Sequence, residues 1–179
     1  MTKIIYKIIL VTFVLLLTFS CSNEASLQQY YVDSENKNDI LMVDIPTSLL
    51  IVKDDMPADA RQALESVDKL NLLAFKLNNN NNAAFNEEKA KVRKILNNSS
   101  YRELLKINDR GVKIEVKYLG DDDSMNEVIV YASDNNKGFA LGRLLGDDMK
   151  PENMLSLLES VKKMDADSET FKTIENYFK

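Results

Sequence analysis

The chain has 179 residues, enough for one domain with additional segments. Lys and Arg total 23 against 28 Asp and Glu, a net charge of −5, and histidine is absent. An acidic chain without basic runs argues against a nucleic-acid partner, and the lack of histidine removes the commonest general base near neutral pH and the commonest metal ligand.

Lys3 and Lys7 give the N-terminus a positive start, and Ile8 to Leu17 is uncharged and apolar (IILVTFVLLL). That length suits the core of a signal peptide and falls short of the ~20 residues a membrane-spanning helix needs. Residues 1–20 hold both lysines and no acid, so the remainder carries −7. The only cysteine, Cys21, stands at the junction, so no internal disulfide can form. Thr18-Phe19-Ser20-Cys21 resembles the lipobox of bacterial lipoprotein signals. Ser20 fits that pattern, whereas Thr18 and Phe19 replace its usual leucine and small residue. The resemblance implies that residues 1–20 are removed. It also implies that Cys21 becomes a mature N-terminus bearing acyl chains such as palmitate, and that the protein is held to an envelope membrane. Ser22, where an aspartate often signals inner-membrane retention, points by the same resemblance to the outer membrane.

Residues 21–39 are expected to be a lipidated N-terminus and flexible tether, since SNEASLQQYYVDSENKN is polar and lacks helical periodicity. Its bulky aromatics, Tyr30 and Tyr31, are expected to dock on the domain. The domain itself is expected over 40–163. Residues 40–53 predict a short strand, a break at Pro46 and a helical turn from Thr47. Pro57 predicts the first turn of a helix through Ser66, with Ala60, Ala63, Leu64 and Val67 on one face. Residues 69–77 read as a buried strand, Asn78 to Asn82 as a loop, and Ala84 to Asn97 as a helix with Phe85, Val92 and Leu96 inward. Ser100 predicts the cap of a second short helix carrying Tyr101, Leu104 and Leu105. Val112, Ile114, Val116 and Tyr118 alternate with Lys113, Glu115 and Lys117, a half-buried antiparallel strand. Glu127 to Ala132 and Phe139 to Leu145 complete a meander through turns at Gly120–Ser124 and Asp134–Gly138. Pro151 opens a helix with Met154, Leu157, Leu158 and Val161 at i, i+3, i+4, i+7. Residues 164–179 are expected to form a C-terminal helix or tail.

Four stretches carry a family resemblance: Tyr101-Arg102-Glu103-Leu104, Asp109-Arg110-Gly111-Val112, Glu127-Val128-Ile129-Val130, and Leu144-Leu145-Gly146 before Asp147 and Asp148. They resemble the domain of unknown function 4252 family of Gram-negative envelope lipoproteins, from about Ile40 to Lys163. The resemblance implies an α+β domain behind a lipid anchor and no assigned activity.

Chemistry-bearing clusters are sparse. Carboxylates gather at Asp54-Asp55, Asp121-Asp122-Asp123 and Asp147-Asp148. A calcium site is one reading, but DDDSMNE lacks the alternate spacing and central glycine of an EF-hand loop, and a solvated turn explains it as well. A paired-carboxylate hydrolase would need two acids across a cleft, and sequence gives no pairing. No phosphate-binding glycine loop appears, and Gly138, Gly142 and Gly146 read as strand-end or bulge positions.

The sequence therefore predicts an α+β fold with an antiparallel sheet of about four strands and helices mainly on one face. It predicts a non-enzymatic binding or structural module of the envelope, with lipidation at Cys21, no catalytic residue, no metal and no cofactor. The expected partners are the membrane, through the lipid, and an envelope protein that meets an exposed sheet face at Lys113, Glu115 and Lys117. The alternatives are a carboxylate-based periplasmic hydrolase and an accessory in envelope-state signalling.

Overall fold

The computed structural model describes residues 26–46, 56–109 and 111–163. The signal segment, Cys21, Thr47, Asp54-Asp55 and the C-terminal segment 164–179 lie outside these residues, as does the side chain of Val161. The elements in chain order are α1 (Leu27–Ser34), β1 (Ile40–Pro46), α2 (Ala58–Glu65), β2 (Val67–Lys76), α3 (Asn82–Leu96), β3 (Arg102–Asp109), β4 (Val112–Gly120), β5 (Met125–Asp134), β6 (Gly138–Met149) and α4 (Pro151–Lys163). The fold is α+β, and the six strands form a single antiparallel sheet ordered β1-β2-β6-β5-β4-β3.

The sheet has six strands rather than about four: beside the strands expected from residue 40 to Pro46, at 69–77 and in the meander, it takes in one segment expected to be helical. Residues 102–109 form strand β3 rather than a helix, pairing with β4 from Arg102↔Tyr118 to Asp109↔Val112. A register shift between Glu103 and Leu105 interrupts the alternation there. It lets the adjacent Leu104 and Leu105 pack against the same apolar cluster. At the opposite edge β1 pairs with β2 over seven positions, Ile40↔Phe75 to Pro46↔Lys69, without a shift.

Both sheet faces carry helices, which corrects the one-sided expectation. On the first face α1 and α3 cover Leu73, Phe75, Ile129, Tyr131, Phe139 and Leu141. Phe75 and Phe139 stack with centroids 5.6 Å apart, and Phe85 of α3 lies 5.9 Å from Phe75. On the second face α2 and α4 pack together over Val67, Val116, Met125, Val128 and Met149, with Ala60, Ala63, Met154 and Leu157 pointing inward. The physical sign of this arrangement is the consecutive buried run Glu127-Val128-Ile129 in β5, where successive residues face opposite sides. Each fully buried Leu, Ile, Phe or Met contributes about 1.5–3 kcal/mol before the entropy cost of ordering it.

The chain from Leu27 to Ser34 is a docked helix, not a tether. Ser26 caps it by accepting a hydrogen bond from the Gln29 amide at 3.1 Å. Leu27 is fully buried, and Tyr30, Tyr31 and Ser34 are also buried against the first face, so the docking expected of the two tyrosines is observed. Only residues 22–25 separate Cys21 from Ser26, a span of at most about 17 Å when fully extended.

Candidate binding groove

Alternate residues of the first face form cross-strand rows. One row reads Asp44, Asn71, Arg143 across β1, β2 and β6. The next reads Met42, Leu73, Leu141, and the one beyond it Ile40, Phe75, Phe139. The sheet thus grades from an aromatic end to a polar end beneath α1.

α1 lies over β2 and β6. The Tyr31 hydroxyl donates to the Leu141 carbonyl at 2.9 Å and lies 3.4 Å from that of Asn71. Gln28 accepts from Arg143 through its side-chain oxygen. Because the helix stops short of the edge strand, an open groove of about 670 Å³ remains between α1 and β1. Its helical wall is Gln28, Tyr31, Val32 and Glu35, an i, i+3, i+4, i+7 stripe. Its other wall is Ile40, Leu41, Met42 and Asp44, and its floor is Lys69, Asn71, Arg143 and Leu145. Val32, 55% exposed, is the large apolar side chain left in solvent among the described residues.

The floor is electrostatically prepared. Arg143 donates to Glu127 at 2.9 Å, and their side chains are 10% and 7% exposed. Arg143 Nε and Glu127 Oε1 have no hydrogen-bond partner. Asn71 donates to Asp44, and Lys69 meets the other oxygen of Asp44 at 3.2 Å. Burial pushes the Tyr31 phenol well above the ordinary tyrosine range, the Arg143 charge opposing and Glu127 adding to the shift. Tyr101, beside the start of α1, is pushed up to about 12, first by burial and then by the Glu127 charge.

At the other end of α1, Glu88 of α3 is buried and accepts from Lys37 at 2.8 Å and Lys91 at 3.1 Å. Burial acts to raise its pKa, but the hydrogen bonds from the two lysines outweigh it and hold the carboxyl below the ordinary glutamate range. The buried side-chain atoms left without a partner among the described residues are Tyr30 Oη, Ser34 Oγ, Glu88 Oε2, Glu127 Oε1, Tyr131 Oη and Arg143 Nε. All belong to α1, α3 or the sheet face they cover.

The residues singled out in the sequence do not converge here. Lys113, Glu115 and Lys117 lie on the flank of the first face. Lys117 donates to the Leu96 carbonyl at 2.7 Å and Glu115 meets Lys106 at 3.4 Å. With helices on both sides, the open sheet face expected as the contact surface does not exist. Asp122 is engaged by Arg102 and by the Tyr118 hydroxyl at 2.8 Å. Among the described residues no three His, Cys, Asp or Glu side chains are grouped to hold a metal ion. No helix among them is long and apolar enough to cross a membrane.

The fold and groove define a small α+β domain with a helix-and-edge-strand cleft. The chain belongs to the domain of unknown function (DUF4252) family, whose model matches residues 30–157. The match opens inside α1 at Tyr30, ten residues before the expected domain start, and ends within α4. No curated protein and no solved structure matches the chain.

Proposed function

We propose that this protein is a lipid-anchored envelope lipoprotein that acts as a non-enzymatic binding module, receiving a partner protein in the groove between α1 and β1. The observation that carries the reading is the groove itself. One wall is an apolar edge strand, the other leaves Val32 in solvent, and a nearly buried arginine with an unpartnered Nε lies in the floor. The lining mixes apolar side chains with converging polar and charged groups, as protein recognition surfaces do.

The anchor is assigned to Cys21 on the strength of the signal-like segment before it. Two acyl chains hold a protein stably to a bilayer, since each buried CH₂ contributes about 0.8 kcal/mol. With so short a connection to Ser26, the groove stays close to the membrane, and the outer membrane is the favoured location. Mass spectrometry of membrane-extracted protein is expected to show acyl chains on Cys21, and Cys21→Ser is expected to leave the membrane fraction. A photo-crosslinker in place of Val32 is expected to capture one envelope protein. Capture of nothing from that position, with lipidation intact, would remove the groove from the proposal.

A further inference from the structure

The two edges of the sheet are built differently. A free edge offers a row of unpaired backbone N–H and C=O groups, and proteins blunt such edges with charges, bulges or prolines. The β3 edge follows this rule, with Arg102, Glu103 and Lys106 along it and a register shift after Glu103. The β1 edge does not. Its sequence ILMVDIP is apolar at every position except Asp44, and it runs unshifted along β2 until Pro46. Ile40, Leu41, Met42 and Val43 are only half-buried, and among the described residues β1 has no strand on its outer side.

We propose that the β1 edge is a strand-addition surface, on which an extended segment of a partner protein pairs antiparallel as a seventh strand. The inference rests on the groove reading above and specifies its ligand. An added strand places its side chains in the same cross-strand rows as those of β1. On the first face they would sit beside Ile40, Met42 and Asp44. On the second they would sit beside Leu41, Val43 and Ile45. The ligand is therefore apolar beside Ile40 and Met42, and basic beside Asp44. Charge supports that choice: the Asp44 side chain is 65% exposed, its partner Lys69 is 52% exposed, and Glu35 stands exposed on the helical wall. An ion pair this exposed is worth about 0–1 kcal/mol and exchanges readily for another. A second copy of β1 fits poorly, because two-fold antiparallel pairing sets Asp44 against Met42, Ile40 or the other Asp44, never against a cation.

The probe is a fluorescein-labelled heptapeptide, Thr-Lys-Thr-Val-Thr-Val-Thr, which presents Lys, Val and Val on one face, titrated into the mature protein and followed by anisotropy. Saturable binding is expected, weakened at least fivefold when the lysine is replaced by glutamate. In Asp44→Ala that discrimination is expected to fall below twofold. Two N-methylated forms test the backbone. Methylating the Lys-Val-Val set and methylating the intervening Thr set are expected to differ at least tenfold, since only one set of amides faces β1. Equal binding by both forms would overturn strand addition while leaving side-chain capture in the groove intact. Absence of binding, or a stable dimer in sedimentation that Asp44→Lys does not disturb, would overturn it as well.

Discussion

Arg143 reaches Glu127 through a single contact, Nη2 to Oε2 at 2.9 Å, so that each partner keeps one buried polar atom unanswered. A monodentate buried pair of this kind is costly to build and costlier to break, because removing one member strands the other charge. Glu127→Ala is expected to destabilise the domain by about 3–5 kcal/mol in urea unfolding. The double variant Glu127→Leu/Arg143→Met is expected to recover most of that loss. If the double variant proves as unstable as the single one, the pair is a net stabiliser and the unanswered atoms are of no consequence.

The same accounting applies to α1. Its contact layer contains the unpartnered atoms of Tyr30, Ser34 and Glu88, and each such group costs about 1–3 kcal/mol relative to a paired one. Tyr31 supplies the well-formed bond to the sheet, at 2.9 Å to Leu141. Tyr31→Phe is expected to cost about 1 kcal/mol and to act locally. Amides of Leu27 to Ser34 should exchange with deuterium several-fold faster, while those of β5 and β6 stay unchanged. A parallel loss of protection in β5 and β6 would show that α1 unfolds only with the whole domain.

These contacts also show where the sequence was readable. Strand β4 announced itself through period-2 alternation, β5 and β6 through apolar runs set between turns, and α3 and α4 through apolar stripes of which Phe85, Val92, Leu96, Met154 and Leu157 are buried. α1 did not, because its inward set is Leu27, Tyr30, Tyr31 and Ser34, a narrow face in an otherwise polar segment. β3 mimicked a helix because Tyr101, Leu104 and Leu105 stand at i, i+3, i+4, whereas the register shift beside Leu105 creates that spacing in a strand. The groove was invisible for a different reason. It joins α1, β1, Lys69, Asn71 and Arg143, residues far apart in the chain that only strand order brings into one row. The polyasparagine loop held a comparable surprise. Asn81 is buried, accepting from the Asn78 amide at 2.8 Å and donating to the Lys76 carbonyl and to Asp39, both at 3.0 Å.

Ionisation should loosen the α1 layer from both ends of the pH scale. Glu88 is held below the ordinary glutamate range, so the folded state binds its proton less readily than the unfolded chain. Its contribution is complete above that range and is lost as pH falls through the folded value. Tyr101 is raised to about 12 by burial, and Tyr30 and Tyr31 are raised further by the same cause. Their contribution is complete below the ordinary tyrosine pKa of about 10 and declines as pH rises above it. Thermal melts across pH are expected to show both declines, and Glu88→Gln is expected to flatten the acid limb. An acid limb unchanged in Glu88→Gln would assign the acid sensitivity to other carboxylates.

Gly138 closes the Asp134–Gly138 turn and opens β6 with a φ of +130°. A Cβ placed there would lie 1.9 Å from the Phe75 carbonyl oxygen, which belongs to the paired strand β2 and cannot move without breaking its register with β6. Gly138→Ala therefore combines a disfavoured backbone conformation with a backbone collision. It is expected to cost more than about 2 kcal/mol, well beyond the ~1 kcal/mol typical of a substitution. Gly111 has a φ of +88° but open space around it, so Gly111→Ala carries the backbone strain alone and is expected to cost less. Comparing the two by chemical denaturation separates conformational strain from steric exclusion. Equal losses would mean that the β2–β6 junction yields to the added methyl, and that the close approach of these strands is not fixed by glycine.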